Sequence, residues 1–307
     1  MNRTDYIGAS DIACVLNINP YKTAYQLWLE KTGKSSEELT ASKESLFAYG
    51  KHMEPFIAEQ YTLATDKKVY IDTDTIYQHH QHHFAACHID AVIDVSHKDA
   101  VALLEIKTAS YLTDAWGDEE SDDMPLNYLA QCAWEAICYE SAVGKQVQYV
   151  DLAVWVQGRL KIYTYVRNAE FENILIKAAI NFWRCVDTLE MPSPLLLQDL
   201  KSIYKTSKDL SIAIADNNVI EKVEKLEKIK LMIKNLEKEA DVLQAMICEK
   251  MGFNEQLNDI GGKKLATWKT CSTSRLDIID LKKQHAEIYD KYLHTTTSRR
   301  FLLNKGK

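Results

Sequence analysis

The chain has 307 residues, of which 46% are hydrophobic and 26% are charged, and its formal net charge is −7 at pH 7. This length is enough for one large domain with an appendage, and the composition is ordinary for a globular protein. No apolar run approaches the ~20 residues that span a membrane, and the start lacks a signal-peptide core, so we expect a cytoplasmic protein with no membrane partner. Seven scattered cysteines without CxxC spacing predict reduced thiols.

The charge is divided unevenly along the chain. Residues 1–200 hold 16 Lys+Arg and 29 Asp+Glu, a balance of −13, whereas residues 201–307 hold 21 and 15, a balance of +6. An acidic catalytic part needs cations, and a basic second part is suited to phosphates. A solvated helical face explains the same asymmetry equally well.

The first 200 residues alternate between helical and extended patterns. Apolar residues at helical spacing predict helices at 10–32 (broken at Asn19-Pro20-Tyr21), from about Ser42 past Tyr61, at 126–139 and at 174–189. Extended segments are predicted at 69–77, 87–96, 100–108, 147–156 and 160–166, with the polar link His97-Lys98-Asp99 suited to a hairpin. This order predicts an α/β (α+β) domain at 1–200, with a mixed sheet flanked by helices.

Residues 205–307 are predicted to form a helical, coiled-coil-like extension. Apolar residues recur every three or four positions from Val219 to Ile247, which indicates a helical hairpin or a coiled coil. Gly252 ends the pattern, and 260–268 is predicted to be a turn that leads into a small β element. No chemistry is implied there.

The segment that carries chemistry is Leu103-Leu104-Glu105-Ile106-Lys107-Thr108. Side chains alternate between faces along a strand, so Glu105 and Lys107 share one face of an otherwise apolar strand. Burying them is costly unless a partner or a metal compensates. Asp90 lies fifteen positions upstream in a second apolar strand, and a hairpin would bring it opposite Glu105.

Two neighbouring carboxylates repel each other and favour a divalent cation. Mg²⁺ suits them because it prefers oxygen ligands and keeps waters that can attack a phosphate; Mn²⁺ is expected to substitute. A lysine beside them can orient or help deprotonate that water, or stabilise charge on the phosphate. The pattern therefore indicates phosphodiester hydrolysis, although on the motif alone an exposed edge strand with a surface Glu–Lys pair is the simpler interpretation.

Several motifs in one order resemble a known family, the YqaJ-type phage recombination nucleases, which are relatives of phage lambda exonuclease in the PD-(D/E)XK class. The resemblance covers roughly residues 3–195. It rests on Ile7-Gly8-Ala9-Ser10-Asp11-Ile12 with Asn19-Pro20-Tyr21 and Leu27-Trp28, on Gly50-Lys51-His52-Met53-Glu54-Pro55, on Asp90 with Leu104-Glu105-Ile106-Lys107-Thr108, and on Pro125-Leu126-Asn127-Tyr128-Leu129-Ala130-Gln131. It implies a restriction-endonuclease-like fold.

The resemblance also implies a set of metal ligands. Asp90 and Glu105 would be the core ligands, and the carbonyl of Ile106 would complete the sphere. Glu54, on the preceding helix, would approach the same cation through water or hold a second one.

Further roles follow from the same resemblance. Lys107 would be the catalytic lysine, and Gln131 would orient the water or the lysine. Arg3 and Ser10 have the spacing of a pair that binds a terminal 5′-phosphate of DNA; a guanidinium and a hydroxyl near a helix start are suited to phosphate.

The implied activity is 5′-to-3′ exonucleolytic digestion of double-stranded DNA from its ends, which leaves single strands for recombination. The implied partners are a RecT-like single-strand-annealing recombinase and further copies of the chain in a trimeric ring. Two alternatives remain: an endonuclease of the same fold, and a non-catalytic DNA-end-binding or assembly protein.

Overall fold

The computed structural model describes residues 1–35, 41–95, 99–113, 115–119, 121–193 and 195–303, without the side chains of 41–43. It divides into two compact units, Met1–Leu200 and Lys201–Lys307. Within the part described, none of the helices has the length and apolar character that a membrane crossing requires.

The first unit contains a short 3-10 turn and five longer helices before the boundary helix. The turn is Arg3–Asp5, and the helices are α1 (Ala9–Val15), α2 (Ala24–Lys31), α3 (Ala41–Thr65), α4 (Leu126–Val143), α5 (Ala169–Thr188) and α6 (Leu197–Ile203). Local capping explains several of these bounds. Thr23 and Gln26 cap α2 reciprocally, and α4 ends at Gly144, whose φ of 73° suits glycine.

A five-stranded mixed sheet forms the centre of this unit. Its strands, in spatial order, are β1 (Val69–Ile71), β4 (Ala91–Ile93), β5 (Ala100–Ala109), β6 (Gln146–Val156) and β7 (Arg159–Val166). Only the β5–β6 pair is parallel; the other neighbours run antiparallel. A separate two-stranded sheet pairs β2 (Tyr77–Gln78) with β3 (Ala86–Cys87).

Helices cover both faces of the sheet. On one face, Ile57 and Tyr61 of α3 pack with Leu104 and Ile106 of β5. On the other face, α1, α2, α4 and α5 supply a larger core that includes the fully buried Trp134. The predicted class, an α/β domain with a mixed sheet flanked by helices, is therefore confirmed.

Two of the predicted strands are interrupted. The segment 69–77 is split between β1 and β2, because Asp72 accepts hydrogen bonds from Thr75 and Tyr77 and closes a turn. The segment 87–96 is split because β3 pairs with β2 whereas β4 pairs with β5; at the break, the side chain of Asp90 accepts a bond from Ile106 N. The expected antiparallel pairing of β4 with β5 is confirmed; His97 and Lys98 of the predicted link lie outside the described residues.

The second unit is dominated by one helix, α7 (Asn217–Met251), of 35 residues. Its continuity makes the interpretation as a helical hairpin wrong for this segment. Asp216 caps its start by accepting a bond from Val219 N, and Gly252 follows its end. The hairpin of β8 (Gln256–Asn258) with β9 (Lys264–Thr267) and the helices α8 (Ile278–Gln284) and α9 (Ala286–Tyr292) follow.

Candidate active site

Strand β5 carries an acid and a lysine on the face that α4 covers. Glu105 is 3% exposed, and the side chain of Lys107 is 29% exposed. The Lys107 ammonium donates to Glu105 Oε1 in a close ion pair. Their position on one face follows from strand alternation, because Leu104 and Ile106 point to the α3 face instead. The sequence prediction that Glu105 and Lys107 share a face is confirmed.

Asp90 immediately precedes β4 and lies beside Glu105. Ala91 pairs with Leu104, and continuing this register by one residue sets Asp90 opposite Glu105. Asp90 Oδ2 accepts a bond from Ile106 N at 2.7 Å. The N–H and C=O of one strand residue point to the same neighbouring strand. The Ile106 carbonyl therefore points, like Ile106 N, towards β4 and Asp90.

Helix α4 supplies the next contacts. Gln131 Nε2 donates both to Glu105 Oε1 and to Glu135 Oε1, the latter at 3.0 Å. Glu135 is 1% exposed, and its second oxygen is a buried atom that has no hydrogen-bond partner among the described residues. Sequence analysis missed Glu135. The available signal was a single acid in an apolar helical run, one turn after Gln131.

Repulsion among carboxylates characterises the site. Burial, and next the charge of Glu105, raises the pKa of Asp90 and of Glu135 well above the usual range of these groups. The same two causes raise the pKa of the half-buried Glu54 on α3. Burial alone would lower the pKa of Lys107, but Glu105 and Asp90 more than offset it, so the pKa is raised. The site has an excess of negative charge that a cation would relieve.

The oxygen donors of the site are of the kind that Mg²⁺ prefers. Among the described residues, no three side chains of His, Cys, Asp or Glu type form a group able to hold a metal ion. Asp90, Glu105 and the Ile106 carbonyl nevertheless offer oxygen atoms where β4 and β5 meet. Mg²⁺ keeps several waters and is usually held by one or two carboxylates, so this open oxygen set fits it.

A second cluster joins the 3-10 turn to α1 and α2. Arg3 Nη2 donates to Ser10 Oγ at 3.0 Å, so the structure brings this predicted pair together. Asp11 anchors the cluster: it is 3% exposed, forms an ion pair with the buried Lys31 at 2.8 Å, and lies 3.9 Å from Arg3. Lys31 also donates to the Arg3 carbonyl. Sequence analysis did not single out Asp11 or Lys31.

The predicted residues therefore fall into two groups. Direct hydrogen bonds link Asp90 with Ile106, and link Glu105 with both Lys107 and Gln131. Glu54 joins this first group through its electrostatic coupling to Glu105. The second group is the cluster that contains Arg3 and Ser10.

The site thus combines two acids and a lysine of the mixed sheet with a glutamine from the covering helix α4. Residues 1–142 match the family model of the YqaJ-like viral recombinase domain. The resemblance that the motifs predicted is thereby confirmed: the first 142 residues are similar to this family's domain.

One relative and one solved structure illustrate the similarity. A Bacillus subtilis (strain 168) protein, the uncharacterized protein YqaJ, is 29% identical over 310 residues, which cover 98% of this chain and 92% of the relative. An alkaline exonuclease from Laribacter hongkongensis has a similar structure at 12% identity, with a TM-score of 0.42, over 61% of this chain and 91% of the other.

Proposed function

We propose that the first unit is a magnesium-dependent DNA nuclease of the PD-(D/E)XK class that digests double-stranded DNA from its ends in the 5′-to-3′ direction. The observation that carries the proposal is the convergence of Asp90, Glu105, Lys107 and Gln131 around the central strand β5. A buried strand rarely keeps an acid and a lysine without a function for them, because their desolvation is costly.

Each of these residues has a separate role in the proposed phosphodiester hydrolysis. Asp90, Glu105 and the Ile106 carbonyl would hold Mg²⁺, with Glu54 near enough to bind its waters or a second ion. When bound, the metal supplies an activated water and neutralises charge on the phosphate. Lys107 orients that water or stabilises the developing negative charge, and Gln131 holds Glu105 and thereby the lysine paired with it.

The first experiment compares linear 5′-phosphorylated duplex with covalently closed circular DNA, each with Mg²⁺, with Mn²⁺ and with chelator. The test variant is Lys107→Ala. Lys161→Ala is a matched control, because Lys161 is also a strand lysine paired with a glutamate, and its side chain is 31% exposed against 29% for Lys107.

We expect the wild type to degrade the linear duplex only when metal is present and to leave the circle intact. Lys107→Ala should be inactive, and Lys161→Ala should keep its activity. Cutting of the circle would replace the exonuclease with an endonuclease at the same site. If neither substrate is degraded while the protein still binds DNA ends, the catalytic proposal is wrong and the end-binding alternative holds.

Recognition of the DNA end is proposed for Arg3 and Ser10. Arg3 is held by the buried acid Asp11 but keeps 72% of its side chain exposed, so it is positioned and still accessible to a phosphate. Arg3→Gln is expected to reduce the preference for a 5′-phosphate over a 5′-hydroxyl by about 10- to 100-fold, the value of one or two charge-assisted bonds. Arg159→Gln, an exposed arginine of β7, is the control. An unchanged preference in Arg3→Gln would exclude this pocket.

The proposed setting is recombination in a phage or prophage, where the single strands pass to a RecT-like annealing protein. We further propose that several copies of the first unit, a trimer in the simplest case, enclose the duplex. Processive degradation of long linear DNA in the presence of excess competitor DNA would support the ring, and release after each short stretch would contradict it.

A further inference from the structure

Helix α7 exposes apolar side chains from Val219 to Ile247. It contains 35 residues and is therefore about 52 Å long. Its apolar residues are far from covered: Ile233 is 49% exposed, Leu236 is 63% exposed and Leu243 is 61% exposed. A continuous exposed stripe of this kind marks an interaction surface.

The stripe has the spacing of a coiled-coil seam. Alternating steps of three and four residues connect its central members, which occupy the a and d positions of a heptad: Leu226, Ile229, Ile233, Leu236, Ala240 and Leu243. At the outer ends, the corresponding d positions are Lys222 and Lys250. The apolar seam is thus confined to the middle of the helix.

An antiparallel pair of identical helices would match this seam to itself. In such a pair an a residue faces a d residue of the second copy, so Leu226 faces Leu243, Ile229 faces Ala240, and Ile233 faces Leu236. All three layers have the same centre, between residues 234 and 235, within half a residue of the middle of Asn217–Met251. One two-fold axis there satisfies every layer and overlaps the helices over their full length.

A parallel pair would match the seam less well. Ala240 would face Ala240 and leave a void, whereas the antiparallel pair sets it against the larger Ile229. Lys222 would also face Lys222 in the seam. In the antiparallel pair, Lys222 instead faces Ile247, so the two ammonium groups lie apart.

The charges beside the seam favour the same direction. Lys225 occupies a g position, whereas Lys230 and Glu237 occupy e positions. In a parallel pair, Lys225 would lie beside Lys230 of the second copy and repel it. In the antiparallel pair, Lys230 lies beside Glu237 of the second copy, and the two-fold axis repeats this attraction.

We propose that α7 is a self-association surface through which two copies of this chain pair as an antiparallel coiled coil about an axis between residues 234 and 235. The proposal is independent of the nuclease activity, because it involves the second unit alone. It assigns the C-terminal extension to assembly of the chain.

The test measures the molar mass of the full chain by size exclusion with light scattering over a range of concentrations. Leu236→Asp places a charge in the central layer twice. Leu231→Asp is the matched control, because Leu231 is equally exposed, at 61%, but lies on the opposite side of the helix at an f position. We expect Leu236→Asp to raise the dissociation constant by about 100-fold or more and to halve the mass at a given concentration, and Leu231→Asp to leave both unchanged.

Charge reversal tests the direction. Lys230→Glu should weaken an antiparallel pair by about tenfold, and adding Glu237→Lys should restore it. In a parallel pair, Lys230→Glu would instead strengthen association, since Lys225 would gain a partner. Equal masses for wild type and Leu236→Asp at all concentrations, or a stronger association of Lys230→Glu, would overturn the proposal.

Discussion

Asp151 of β6 is the centre of a buried polar network whose loss should destabilise the first unit. It is 1% exposed and accepts bonds from Tyr61, from Lys67 Nζ at 2.9 Å and from Thr164 Oγ1 at 2.6 Å. These donors come from α3, from the loop after it and from β7. The Asp151 carboxylate therefore links α3, the helix that carries Glu54, to the sheet by hydrogen bonds.

When the bond to Asp151 is lost, water can replace it for an exposed donor but not for a buried one. Tyr61 is fully buried, so Asp151→Ala leaves its hydroxyl unsatisfied, whereas the side chain of Lys67 is 38% exposed and can turn to water. We expect Asp151→Ala to cost about 3–5 kcal/mol and Tyr61→Phe about 1.5–3 kcal/mol. Lys67→Met should cost less than about 1 kcal/mol, because its ion pair is partly solvated.

Urea unfolding followed by tryptophan fluorescence is the suitable assay. Trp28, Trp116, Trp134, Trp155 and Trp183 all lie in the first unit, so the signal reports mainly on its unfolding. The free energies follow from the midpoints if the slope with urea is unchanged. A loss for Lys67→Met equal to that for Tyr61→Phe, or a loss below about 1 kcal/mol for Asp151→Ala, would refute the reasoning.

Three shorter predictions concern a half-buried histidine, a buried ion pair and a buried thiol. Burial and two neighbouring histidines lower the pKa of His79 below its ordinary value of 6.5. The unfolded chain therefore binds more protons than the folded chain, so the free energy of unfolding falls as the pH drops below 6.5. His79→Gln should remove this decrease from a plot of urea midpoint against pH. Lys31→Met removes the buried ion-pair partner of Asp11, leaves only the exposed Arg3 at 3.9 Å, and should cost about 3–5 kcal/mol in urea unfolding. Burial raises the pKa of Cys14 to about 12, so a thiol reagent at pH 8 should modify the exposed Cys271 first in the native chain, as peptide mapping would show.

The part of the site that sequence analysis predicted depends on local geometry. Alternation along β5 alone places Glu105 and Lys107 on one face, and a short antiparallel connection brings Asp90 opposite them. Both features depend on neighbouring residues and on general strand geometry. The longer helices α3, α4 and α5 were also predictable, because their apolar spacing lies within each segment; the short helices α6, α8 and α9 were not predicted.

The features of the fold and site that the sequence did not predict depend on contacts between residues far apart in the chain. The interruption of the predicted strand 87–96 follows from the bond between Asp90 and Ile106, sixteen positions apart. Asp151 lies in an apolar strand pattern that gives no sign of Tyr61, ninety positions away. A lone acid within an apolar run signals a buried polar contact. Its partner, here Tyr61, is determined by the packing of α3 on the sheet.

Glu135 is the residue by which the role of the α4 contacts can be tested. Its Oε1 accepts one amide hydrogen of Gln131, whose Nε2 also donates to Glu105. Without an acceptor at 135, the Gln131 amide is free to turn its oxygen towards Glu105. We therefore expect Glu135→Leu to reduce the turnover of linear duplex by about tenfold, the value of one positioned hydrogen bond.

Glu135→Gln keeps an acceptor oxygen and should retain most of the activity. Stability should change in the opposite sense, because Glu135→Leu removes a buried carboxyl oxygen that has no partner; its free energy of unfolding should be equal to or above that of the wild type. Glu140→Gln, at a glutamate of the same helix that pairs with Arg167 instead, is the control and should keep full turnover. Lower stability with unchanged turnover in Glu135→Leu would mean that Glu135 only supports the core, and that Gln131 is held in place by Glu105 alone.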